Sequence, residues 1–141
     1  MRTISKEFSF AYGHRLRFHN GVCKNIHGHN ALLIVTLGEP KAIPPADMIL
    51  DFSIVKKCVK EWLDLNWEHA MIVAKEDTEL GELLMSLPNQ KIFILNGEPT
   101  AENMASHLFH TVLPVLFKAF PVTIERIKFY ETQTSCTEIS A

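Results

Sequence analysis

Apolar and polar residues alternate along the chain with two different periods, and the change from one to the other outlines an α+β domain. In residues 3–10, Ile4, Phe8 and Phe10 share one face and mostly polar residues take the other, which predicts a half-buried strand. Residues 31–37 are apolar on both faces, with Ala31, Leu33, Val35 and Leu37 on one and Leu32 and Ile34 on the other. Such a strand needs cover on both sides, and in a small domain the second cover is loops or a neighbouring subunit. A short apolar strand is predicted at 91–95 and a longer one at 122–131, whose alternation breaks at Glu125-Arg126 and marks a bulge.

Helical spacing appears twice. After Asp51-Phe52-Ser53, the residues Phe52, Val55, Val59 and Trp62 recur on one face, while Lys56, Lys57, Lys60 and Glu61 take the wet side. Cys58 borders that stripe and reads as a buried, inert thiol. A second helix starts after Pro99, with Thr100 as N-cap, Glu102 in the first turn and Met104, Leu108, Val112 and Leu116 facing inward. Pro114 falls inside this pattern and is expected to kink or end it. Turn signals lie at Gly38-Glu39-Pro40, Pro44-Pro45, Pro88-Asn89 and Asn96-Gly97-Glu98-Pro99, giving the order strand, strand, helix, strand, helix, strand.

The 141 residues fit a single domain, 1–141, and 47% apolar with 21% charged residues excludes disordered and fibrous classes. A formal net charge of -2 offers no basic field for nucleic acid. No apolar run approaches the roughly 20 residues that span a bilayer, and the first residues lack the pattern of a secretory signal. The expected compartment is the cytoplasm. Three cysteines, Cys23, Cys58 and Cys136, are too few and scattered for a disulfide framework.

Four of the seven histidines, His14, His19, His27 and His29, fall within sixteen residues. In His27-Gly28-His29 a strand places both rings on one face. His14 has the parity of Phe8 and Phe10, so antiparallel pairing of the two strands brings it beside the pair. Three neutral imidazoles meeting in this way suit a catalytic type of zinc site with an open fourth position. The alternative is ordinary surface histidines, and His19, in a polar loop, is a spare candidate. Cys23 closes the site as a thiolate ligand, stays off the metal and moves a proton, or is an inert loop cysteine, the last disfavoured because a thiol within reach of three histidines tends to bind metal. His69, after Glu68, reads as a helix-end histidine or a catalyst. Glu131 ends an apolar strand, where it is either solvated or accepts hydrogen bonds from a ligand with paired N–H donors.

Six segments in chain order, Phe8-Ser9-Phe10-Ala11-Tyr12-Gly13-His14-Arg15-Leu16, Cys23-x3-His27-Gly28-His29-Asn30, Met48-Ile49-Leu50-Asp51-Phe52, Glu68-His69, Pro99-Thr100-Ala101-Glu102-Asn103-Met104-Ala105 and Tyr130-Glu131-Thr132-Gln133-Thr134-Ser135, together resemble the 6-pyruvoyl- and 6-carboxy-tetrahydropterin synthase family. The resemblance implies the tunnelling fold, a four-stranded antiparallel sheet with two helices on one face, joined edge to edge into a barrel. It implies a homo-oligomer, a hexamer built as a dimer of trimers, with active sites between subunits. It further implies Zn2+ on His14, His27 and His29, Cys23 as catalytic acid/base with His69 as its partner, and Glu68 where relatives carry aspartate. Glu131 and Glu102 would bind substrate, Glu131 holding the pterin ring. The short Cys-x3-His-Gly-His spacer looks like the 6-carboxy branch of queuosine and deazapurine synthesis, a lyase acting on 7,8-dihydroneopterin triphosphate. A pyruvoyl-forming synthase and a non-catalytic zinc-binding module are the competing readings.

Overall fold

A computed structural model describes residues 1–40 and 47–141. The expected turn at Pro44-Pro45 lies outside the described residues. Strands β1 (Thr3–His14) and β2 (His27–Gly38) pair antiparallel along their whole length, with Phe8 opposite Leu33, Tyr12 opposite His29 and His14 opposite His27. The pairing runs without a slip, so the apolar face of each strand continues directly into the histidines. Helix α1 (Phe52–Asn66) follows, then β3 (Ala70–Ala74), α2 (Thr78–Met85) and β4 (Ile92–Leu95). After these come α3 (Ala101–His107), a π-turn (Leu108–Val112), α4 (Leu113–Leu116), β5 (Thr123–Tyr130) and β6 (Cys136–Ser140).

The α+β class is as expected, and the sheet is larger than four strands. Its order is β4-β3-β1-β2-β5-β6. The antiparallel part, β1-β2-β5-β6, is the anticipated four-stranded sheet, and β3 and β4 extend it in parallel beyond β1. β3 is a five-residue apolar run, Ala-Met-Ile-Val-Ala, too short to declare a period. β6 carries one large apolar residue, Ile139, and its pairing with β5 defines it instead. Glu125 is the unpaired residue of the predicted bulge, since Arg126 faces Thr36 and Ile124 faces Leu37.

Two helical segments cover one face. Val55, Val59 and Leu63 of α1, with Met104, Leu108 and Leu113, close over Phe8, Phe10, Leu33, Val35, Ile127 and Phe129. Each such side chain contributes roughly 1.5–3 kcal/mol on burial. Asp51 caps α1 by accepting from the Ser53 N–H, and Thr100 caps α3 by accepting from the Asn103 N–H. Pro114 does not end the second helix. It lacks the N–H that an α-turn requires, and the chain passes into α4 through the wider π-turn, in which Leu113 N–H donates to Leu108 O. No helix among the described residues is long and apolar enough to cross a membrane.

The chain leaving His14 is fixed by two arginines. Arg15 donates to both oxygens of Asp77, at 2.7 and 2.6 Å, and the same carboxylate caps α2. Arg17 donates to Glu98 and to the Glu76 carbonyl. The hydrogen bond from Arg15 holds the Asp77 carboxyl below its ordinary value of 3.8. Its stabilising contribution is therefore complete above pH 4 and is lost as the pH falls through the depressed folded value. Asp77→Ala is expected to cost about 3 kcal/mol at pH 7, since a cap and a bidentate ion pair go together. Denaturant unfolding at pH 7 and at pH 2 checks this, with the gap between variant and parent narrowing in acid.

Candidate metal centre and active site

The pairing of β1 with β2 puts His14 and His27 directly opposite, and Tyr12 opposite His29, on the face shared with the core. Each ring is then set by the backbone around it. His14 is fully buried, and its Nδ1 lies 2.7 Å from the Pro99 carbonyl at the turn before α3. His27 Nδ1 lies 2.6 Å from the Asn25 carbonyl. Both Nδ1 atoms must donate to these carbonyls, which fixes each ring in the tautomer whose Nε2 carries a lone pair.

Those two Nε2 atoms stand 3.1 Å apart. Two lone pairs at that distance repel unless a cation lies between them, so the arrangement is complete only with a metal or a shared proton. His29 Nε2 is buried and has no hydrogen-bond partner. The ligand atoms of His14, His27 and His29 all lie within 4.8 Å of one another, and the Cys23 thiol is not part of that group. Burial pushes the imidazolium forms of His14 and His29 down from the ordinary histidine value, so both rings are neutral donors at pH 7. Three neutral imidazole nitrogens fit a divalent ion of the zinc class.

Glu131, just past β5, turns to the same face. Its Oε1 lies 3.5 Å from Nε2 of both His14 and His29 and accepts the Tyr12 hydroxyl at 3.1 Å. Burial, reinforced by the Glu131 charge, pushes the Tyr12 phenol far above its ordinary value and keeps it a donor. The sequence reading did not include Tyr12, although its parity with His14 on β1 was the available signal. The carbonyls of Pro99 and Asn25 were also missed, since no side-chain pattern marks them.

Glu68 and His69 stand apart from this cluster. His69 takes a left-handed backbone, with φ of 58°, and its N–H donates to the Ala11 carbonyl at the open edge of β1. Glu68 Oε1 accepts from the Ala11 N–H and from His69 Nδ1, so the longer glutamate does reach its histidine. The His69 ring is exposed and lines a cavity of about 610 Å³ with Ser9, Asn30, Leu32 and Tyr130. These side chains occupy the face of the sheet opposite the three histidine rings. Cys23 lies in a short 3₁₀ turn, Val22–Lys24, between β1 and β2, half-buried, with its carbonyl accepting from Leu16 N–H. Glu102 is exposed in the first turn of α3, directly after the Pro99-Thr100 segment that holds His14. His19 is exposed and its Nδ1 accepts from Gly21 N–H, outside the cluster.

Residues 3–141 match the family model described as 6-pyruvoyl tetrahydropterin synthase. The chain is 33% identical over 139 residues to a protein of Rickettsia typhi named 6-carboxy-5,6,7,8-tetrahydropterin synthase, covering 99% of this chain and 100% of that one. A Haemophilus influenzae protein of the same name is 34% identical over 143 residues, covering 98% of each. Among solved structures, an uncharacterized protein from Wolinella succinogenes superposes with a TM-score of 0.83 at 22% identity, covering 99% of this chain and 97% of that one. The 6-pyruvoyl tetrahydropterin synthase of Caenorhabditis elegans gives 0.66 at 22% identity, covering 99% and 95%.

Proposed function

The chain belongs to the 6-pyruvoyl tetrahydropterin synthase family, and from that premise we propose that it is a zinc-dependent 6-carboxy-5,6,7,8-tetrahydropterin synthase. Its substrate is 7,8-dihydroneopterin triphosphate, from which it eliminates triphosphate and cleaves the side chain to leave a 6-carboxy group. The reaction belongs to queuosine and deazapurine synthesis in the cytoplasm. The observation that carries the reading is the convergence of three histidine ring nitrogens beside the Glu131 carboxylate, in a chain whose full-length relatives bear the carboxy name.

His14, His27 and His29 hold the zinc, which supplies Lewis acidity toward side-chain oxygens when bound. Glu131 receives the paired N–H donors of the aminopyrimidine edge and so sets the pterin side chain against the histidine cluster. Glu102 meets the substrate from the start of α3. Cys23, on the loop that joins His14 to His27, takes and delivers the proton as carbons of the side chain change hybridisation. His69 is its partner in that transfer, and Glu68 fixes the His69 tautomer through Nδ1.

His69 faces away from its own chain's histidine cluster, which supports a site completed between copies. β1 pairs with β3 only at Tyr12 and Gly13, leaving its edge from Thr3 to Ser9 without a strand partner among the described residues. β4 ends the sheet beyond β3, and β6 ends it on the far side of the antiparallel part. Pairing of the free edge of β1 with β6 of a second copy would join subunits into a barrel, with the half-buried Leu32 and Ile34 lining its interior. We infer a homo-oligomer, a hexamer built as a dimer of trimers as the family resemblance implies, and these two edges support the joining of copies. Identification of the pterin formed from 7,8-dihydroneopterin triphosphate tests the functional reading, with 6-carboxy-tetrahydropterin as the expected product and a pyruvoyl-pterin as the result that overturns it.

A further inference from the structure

Tyr12 lies beneath the site and takes no part in the reaction as described above. It is 3% exposed, and its ring is wedged between His14, His29, Phe10 and Phe129, with centroid distances of 5.1, 5.7, 5.8 and 6.1 Å. A side chain packed on four sides by aromatic rings has no freedom to turn. Its hydroxyl emerges from that packing beside Glu131 and donates to Oε1 at 3.1 Å. Glu131 is the opposite case, a partly exposed side chain with several rotatable bonds at the end of β5. Its Oε2 accepts no hydrogen bond among the described residues.

We propose that Tyr12 is the positioning residue for Glu131: the phenol O–H holds Oε1 beside the histidine cluster and presents the remaining lone pairs of the carboxylate to the pterin. A carboxylate offers about four acceptor directions, and the phenol takes one, which leaves enough for two parallel N–H donors. A glutamate free to rotate must be ordered each time a ligand binds, and that ordering weakens binding. The rigid phenol has already ordered it. The inference rests on the reading of Glu131 as pterin anchor and adds the residue that makes the anchor a fixed one.

Tyr12→Phe removes one oxygen and keeps the ring. With the zinc-loaded oligomer, 6-carboxypterin serves as a non-reacting probe titrated by fluorescence, alongside zinc content, melting temperature and steady-state kinetics. Affinity for the probe is expected to fall about tenfold, the effect of losing one hydrogen bond to a charged group. KM rises by a similar factor while kcat changes less than about threefold, because the lost contact serves binding and chemistry alike. Zinc content stays that of the parent. Glu131→Gln also weakens probe binding, and in a Glu131→Ala background, which has no side-chain acceptor, adding Tyr12→Phe costs nothing further, since the phenol acts through the carboxylate. Unchanged affinity in Tyr12→Phe beside weakened affinity in Glu131→Gln overturns the role of Tyr12 and leaves the anchor standing. Unchanged affinity in Glu131→Gln overturns both. A Tyr12→Phe chain that fails to fold, or whose loss is the same with and without the Glu131 carboxylate, makes the phenol part of the fold and overturns the proposal.

Discussion

Cys23→Ala is expected to keep its zinc and its fold and to lose turnover by about 10²- to 10⁴-fold, the range for removing a general acid or base. His27→Ala is expected to lose zinc and turnover together. The difference follows from the geometry, because the three ring nitrogens converge without the thiol. The pairing of His14 with the Pro99 carbonyl and of His27 with the Asn25 carbonyl already orients two of the three rings. Metal analysis of the purified variants checks both halves. A Cys23→Ala protein as depleted in zinc as His27→Ala makes the site a closed one with a thiolate ligand, and one with parental turnover removes Cys23 from the mechanism.

A second large effect comes from mixing inactive chains. Cys23→Ala and His69→Ala homo-oligomers are each expected to be nearly inactive, and co-expressed mixed oligomers are expected to recover about a quarter of parental activity. The fraction is statistical: if each site takes Cys23 from one chain and His69 from its neighbour, one site in about four is intact in an equal mixture within a symmetric assembly. The expectation rests on His69 lining the face of the sheet opposite its own histidine cluster. Mixed oligomers that remain as inactive as their parents place both residues in one chain's site and contradict the shared arrangement.

The convergence of His14, His27 and His29 was legible in the sequence because strand parity is a local property. His14, Phe10 and Phe8 lie two or four residues apart, and once β1 and β2 pair, the facing of His14 and His27 is settled. The helix caps at Asp51 and Thr100 and the bulge at Glu125 were equally local. What the pattern did not carry is whatever depends on distant partners. β6 has almost no apolar signal of its own, and β3 and β4 gain their places from parallel pairing across separated segments. Pro114 was expected to disturb its helix, and the accommodation by a π-turn depends on a hydrogen-bond detail that propensity does not describe. The bond between Tyr12 and Glu131 joins residues 119 positions apart. Such a contact exists only after β1, β2 and β5 have come together in register.

The fate of the side-chain carbons separates a carboxy-forming from a pyruvoyl-forming enzyme. Purified zinc-loaded protein incubated with 7,8-dihydroneopterin triphosphate is expected to release triphosphate and acetaldehyde and to leave 6-carboxy-5,6,7,8-tetrahydropterin, identified by mass. A pyruvoyl-pterin that retains all the side-chain carbons, or a zinc-replete oligomer that releases no triphosphate, contradicts the carboxy-forming reading.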